Sequence, residues 1–87
     1  NQLYAYPNPV HPTYRGYITI KGLMADTEVR ILDASGNLVK VLNSQGGAAI
    51  WDGNNTQGQR VASGVYTVIC NTINGQATES IKILIMN

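Results

Sequence analysis

Apolar and polar side chains alternate along most of this chain, with turn-forming residues about every eight to twelve positions. In Gly16–Gly22, Tyr17, Thr19 and Lys21 alternate with Ile18 and Ile20, the period-two pattern of a half-buried strand. Thr27–Asp33 repeats it, with Val29 and Ile31 on one face and Arg30 on the other. Ala34-Ser35-Gly36-Asn37 interrupts the pattern and Leu38–Leu42 resumes it, which predicts a hairpin. Before these, Leu3–Tyr6 is a short run ended by Pro7-Asn8-Pro9; proline cannot donate to a ladder, so this run belongs at an edge. After them come a short run, Ala48–Trp51, and a polar stretch, Asp52–Arg60, that reads as a loop. Gly64–Thr72 places Tyr66, Val68 and Cys70 on one face. Asn74-Gly75 predicts a type I′ turn, which needs positive φ at both central residues. The closing run, Gln76–Met86, alternates Ile81, Ile83 and Ile85 with Lys82, Leu84 and Met86. No segment keeps a long 3.6-residue apolar period. The pattern therefore predicts an all-β fold, an immunoglobulin-like antiparallel β-sandwich of about seven strands. Trp51, Tyr66 and the Ile, Val and Leu set are expected to fill the space between its sheets.

Composition narrows the function classes. At 87 residues the chain has room for one domain, residues 1–87. Charged residues make up 13%, about half the usual share. The formal net charge of +1 does not fit a strongly basic nucleic-acid binder. One cysteine, Cys70, cannot form an internal disulfide. The longest mostly apolar run, Ile81–Met86, falls far short of the roughly 20 residues of a membrane-spanning helix. The chain begins at Asn1 with neither an initiator Met nor a signal peptide, and reads as a mature segment or a fragment of a longer protein.

Candidate chemistry is sparse. His11 is the only histidine and lies far from Cys70, so an exposed loop residue is expected and no metal site. Ser35, Ser44, Ser63 and Ser80 are present, but no Gly-x-Ser-x-Gly elbow surrounds any of them. No catalytic residue and no cofactor are expected. Asp52, Asn54 and Thr56 offer oxygens at alternate positions, as a calcium loop does. The match fails at the sixth position, Gln57, and at the twelfth, Ser63, so an Asx-rich connection is the expected reading. Asn54-Asn55-Thr56 is a glycosylation sequon, which marks a surface loop. Tyr4, Tyr6, Tyr14 and Tyr17 cluster early and would suit stacking on a sugar. The plainer expectation is packing of the first strand against the sandwich, with the tyrosine hydroxyls at the rim. Cys70 shares a face with Val68 and Tyr66 and is expected to be buried and inert. Glu79–Met86 is apolar, β-prone, nearly uncharged and free of proline; at a sheet edge such a run can pair with another chain, while the plainer expectation is a closing strand.

Read together, several segments resemble the C-terminal sorting domain of the type IX secretion system of Bacteroidetes. Tyr6-Pro7-Asn8-Pro9-Val10 is similar to that family's opening box. Val29–Asp33 followed by Gly36-Asn37-Leu38-Val39 is similar to its central hairpin box. Trp51-Asp52-Gly53, Gly58, Val61 and Ser63-Gly64-Val65-Tyr66 resemble its third box, and Glu79–Ile85 its last strand. The immunoglobulin-like domain of the flagellar hook-capping protein shares the stretch from Trp51 to Tyr66; the opening box and the terminal strand favour the sorting domain. Many members end in Lys or Arg, whereas this chain ends Ile85-Met86-Asn87, with Lys82 the nearest basic residue.

The resemblance implies a non-catalytic C-terminal domain of a larger secreted protein. Such a domain directs its passenger from the periplasm through the outer-membrane translocon, or a shuttle protein, to the cell surface. A sortase-like peptidase removes it in ordinary cargo. The expected recognition element is Ser80, Ile81, Lys82, Ile83, Leu84, Ile85 and Met86, read by main-chain pairing along an edge and by side-chain pockets. Pro7, Asn8, Pro9, Gly36, Trp51, Asp52, Gly53, Gly64 and Tyr66 are the family-motif residues expected to be structural. Two alternatives remain: a structural or carbohydrate-binding module, and a domain retained in a component of the secretion machinery.

Overall fold

The computed structural model describes residues 3–23, 27–71 and 78–87. The described residues form seven strands: β1 (Tyr4–Tyr6), β2 (Ile18–Lys21), β3 (Glu28–Leu32), β4 (Leu38–Asn43), β5 (Ala48–Trp51), β6 (Gly64–Asn71) and β7 (Thr78–Ile85). One sheet has the order β1-β2-β5 and the other β4-β3-β6-β7. Every strand pair is antiparallel. This is the expected sandwich. The predicted Asn74-Gly75 turn lies outside the described residues, but β6 and β7 pair without interruption from Gly64↔Ile85 to Asn71↔Thr78.

Alternation decides which side chains meet between the sheets. From one sheet, Ile18 and Ile20 of β2 and Ala49 and Trp51 of β5 point inward; from the other come Val29, Ile31, Tyr66, Val68, Cys70, Ile83 and Ile85. Each large aliphatic side chain buried here contributes about 1.5–3 kcal/mol. Trp51 meets Tyr66 edge to face at 5.8 Å, the geometry that ring quadrupoles favour. The Tyr66 hydroxyl donates to the Ala62 carbonyl four residues upstream, as in the tyrosine corner of such sandwiches.

Two expectations fail. No leucine joins the core among the described residues: Leu3, Leu23 and Leu42 only pack against its margin, and Leu38 and Leu84 are exposed. The inward positions are filled by β-branched residues, which suit the pleated surface. The tyrosines of the first strand do not pack inward either. Ala5 takes the inward position of β1, so Tyr4 and Tyr6 face out, 50% and 47% exposed, and stack on each other at 6.0 Å. Tyr17 is 65% exposed. Tyr14 alone is half-buried, its hydroxyl donating to the Tyr17 carbonyl.

Candidate recognition edge at the terminal strand

β7 closes the four-stranded sheet, with β6 on one side only. Its alternation splits the expected recognition residues into two sets. Ile83 and Ile85 are in the core and Ile81 is half-buried, whereas Ser80, Lys82, Leu84 and Met86 are exposed. The register applies the same split to the main chain. Ile81, Ile83 and Ile85 stand opposite Val68, Tyr66 and Gly64 and direct their main-chain groups to β6, so Ser80, Lys82 and Leu84 direct theirs away from it.

Most of that outward edge is already taken by the opening box. The chain leaves β1 in the other sheet, and residues 8–10 then run alongside β7 as a strap, with Val10 bridging Ile85 in parallel. Val10 N–H donates to the Leu84 carbonyl at 2.8 Å, and Met86 N–H donates to the Val10 carbonyl at 2.8 Å. One step back, the Asn8 side chain replaces a main-chain residue. Its Nδ2 donates to the Lys82 carbonyl at 2.9 Å, and its Oδ1 accepts from Leu84 N–H at 3.1 Å. Val10 is also wholly buried, so the strap is held by packing as well as by hydrogen bonds. Pro7 and Pro9 have no N–H, so the strap's own main chain is a poor template for further pairing.

The end of the chain is tied down too. Asn87 N–H donates to Ser63 Oγ at 2.8 Å, and Asn87 Nδ2 donates to the Val61 carbonyl at 2.9 Å. Neither the strap's contact with β7 nor this anchor is expected from the sequence reading. A lone Asn between two prolines was the available signal, but its partner lies 74 residues away.

The other motif residues set loop geometry. Asp33 Oδ1 accepts from Ser35 N–H and Asn37 N–H, both at 2.9 Å, and Gly36 turns the hairpin at φ 88°. These bonds, that from Asn37 first, hold the Asp33 carboxyl below its ordinary value. Asp52 Oδ1 accepts from Asn54 N–H at 2.9 Å, and Asn55 Oδ1 accepts from Gln57 and Gln59 N–H at 3.0 Å. The Asp52 and Asn55 side-chain oxygens thus serve the loop itself, as expected of an Asx-rich connection, while the Thr56 hydroxyl donates to the Val39 carbonyl of β4 at 3.2 Å. Trp51 Nε1 donates to the Asn54 carbonyl at 2.9 Å, fixing the loop to the core. Gly53 has φ 80° and lies under the Arg60 guanidinium. Gly64 opens β6 opposite Ile85. His11 is exposed. Cys70 is buried, and burial, with the Glu79 charge second, pushes its thiol up to about 11. Among the described residues, no group of three or more His, Cys, Asp or Glu side chains is placed to hold a metal, and no helix is long and apolar enough to cross a membrane.

The FlgD Ig-like domain family matches residues 13–76. The chain belongs to that family. Among solved structures it is similar to PorZ, described as an essential bacterial surface component of the type IX secretion system of Porphyromonas gingivalis. The identity is 34% and the TM-score 0.88, over 98% of this chain and 11% of that one. The chain thus spans about a tenth of PorZ's length. No curated protein matches it. The expected kinship with both groups is borne out. The family match stops short of the strap and of β7, whereas the likeness to PorZ covers nearly the whole of this FlgD Ig-like domain.

Proposed function

We propose that this domain is a non-catalytic address: as the C-terminal domain of a larger secreted protein, it directs a passenger through the type IX outer-membrane translocon to the cell surface. The observation that carries the reading is the likeness to PorZ at 34% identity over 98% of the chain, strap and terminal strand included. The recognised element is the exposed set Ser80, Lys82, Leu84 and Met86 on β7. The partner is the translocon or its shuttle protein, with a sortase-like peptidase acting where the domain is removed. The route runs through the periplasm to the outer membrane and the surface.

The test fuses all 87 residues to a secreted reporter in a type IX-competent host. A second fusion carries Lys82→Ser, Leu84→Ser and Met86→Ser, which leave Ile83 and Ile85 in the core. Surface delivery by the first and periplasmic retention of the second, with equal melting temperatures, supports the address. Absence of delivery by the full domain sinks it. A carbohydrate-binding module is the second reading, favoured by the outward-facing Tyr4–Tyr6 stack. A glycan array probed with the domain and with Tyr6→Ala decides it; no glycan lost on that substitution rejects it.

A further inference from the structure

We infer that the outward edge of β7 is a strand-exchange site, on which an extended segment of a partner protein pairs with Ser80–Met86 in parallel by displacing the Asn8–Val10 strap. The inference rests on the reading of β7 as the recognised element and names how it is recognised. The geometry of the strap carries it. In a parallel ladder, alternate residues of one strand each donate to and accept from the next. Val10 does this with the Leu84 carbonyl and Met86 N–H. At the preceding position the Asn8 side-chain amide performs the same pair of contacts, with the Lys82 carbonyl and Leu84 N–H. The edge therefore already holds a parallel segment in register, one of whose residues is an imitation made from a side chain.

The ladder's next rung is empty. It would use Lys82 N–H and the Ser80 carbonyl, which face away from β6 and take no partner among the described residues. The strap cannot supply that rung because its chain turns away into β1, in the other sheet. A partner strand with ordinary main chain at three alternate positions can fill all three rungs. It can begin at the empty one and advance while the exposed Asn8 contacts open. The partner is thus an extended polypeptide rather than a helix.

The probe is a synthetic ten-residue peptide with the sequence of residues 3–12, in which Pro7 and Pro9 are replaced by Val. It is titrated into the full 87-residue chain, with amide hydrogen exchange as the readout. Peptide binding is expected to protect Lys82 N–H and to be at least tenfold tighter for Asn8→Ala than for the unaltered chain. Lys82→Pro removes the rung's only donor on the edge side and is expected to weaken binding at least tenfold, with the melting transition retained. Asn8→Asp keeps the acceptor for Leu84 N–H but loses the donor, and is expected to fall between; it replaces Asn8→Ala if that variant does not fold. No protection of Lys82 N–H, or affinity indifferent to both positions, overturns the exchange. The reporter assay separates the two ideas. Delivery by the full domain that is unchanged by Lys82→Pro keeps the address and overturns exchange as its mechanism. If the full domain delivers nothing, the address reading fails and the peptide titration alone decides whether the edge exchanges strands.

Discussion

At the scale of single residues, Gly53 and Cys70 make the sharpest demands. Gly53 holds φ 80°, and a Cβ there would lie 2.7 Å from Arg60 Nη1. A side chain costs left-handed backbone strain and must also push the guanidinium aside. Gly53→Ala is expected to destabilise the domain by about 1–3 kcal/mol in urea unfolding; an unchanged midpoint would refute this account of the Trp-Asp-Gly box. Cys70 has the opposite character, since its thiol is disfavoured as an anion. Unfolded, it ionises near 9.0; folded, only near about 11. Its contribution is intact below pH 9 and is lost as pH rises toward 11. Cys70→Ala is expected to flatten the fall in stability between pH 9.0 and about pH 11. Some slope remains, because burial also raises Tyr66. An identical slope in both proteins would show that the thiol is not protected as described.

At the scale of elements, what was legible in the sequence was what neighbouring residues decide. The β3–β4 hairpin could be read because the turn lies within five residues, Asp33 to Asn37, and uses side chains suited to it. Its pH dependence follows from the lowered Asp33 carboxyl. The folded state gains from the ionised form above the ordinary carboxylate range, and loses that gain as pH falls through the folded value. Asp33→Asn is expected to remove this acid dependence, which urea unfolding at descending pH will report; equal acid slopes would contradict it. The strap was not legible. Its proline-flanked Asn was recognisable as a box, but nothing local says that its amide replaces a peptide group beside β7. The outward tyrosines depart from expectation for a related reason. Period two allows either phase, and in a strand of three residues the small Ala5 decided which face went inward. Asn8→Ala removes two hydrogen bonds and is expected to cost about 1–3 kcal/mol, with faster amide exchange at Leu84 as its local signature. Unchanged exchange there would mean that Asn8 does not hold the edge.

At the scale of the molecule, the proposed address and the architecture share one strand. β7 supplies Ile83 and Ile85 to the core and is the only partner of β6 on that side. It also receives the strap and leads into Asn87, which is bonded to Val61 and Ser63. Removing residues 80–87 therefore does more than erase a signal. Two buried isoleucines alone represent about 3–6 kcal/mol, against a total stability for a domain of about 5–15 kcal/mol. The deletion also takes away the ladder with β6 and the seat of Val10. A chain ending at Glu79 is expected to show no cooperative thermal transition by circular dichroism, and a two-state transition in that chain would contradict the dependence argued here. Loss of delivery after such a deletion then reports the loss of a fold, which any surface-displayed module would suffer equally. Substitutions confined to Lys82, Leu84 and Met86 keep both buried isoleucines and the β6 pairing, so a delivery defect in them can be assigned to recognition. The same reasoning gives the strap a part in the proposed address: an edge kept available to a partner must also be kept from pairing with the wrong one. A short, proline-flanked segment tied by one side-chain amide and one buried valine satisfies both conditions.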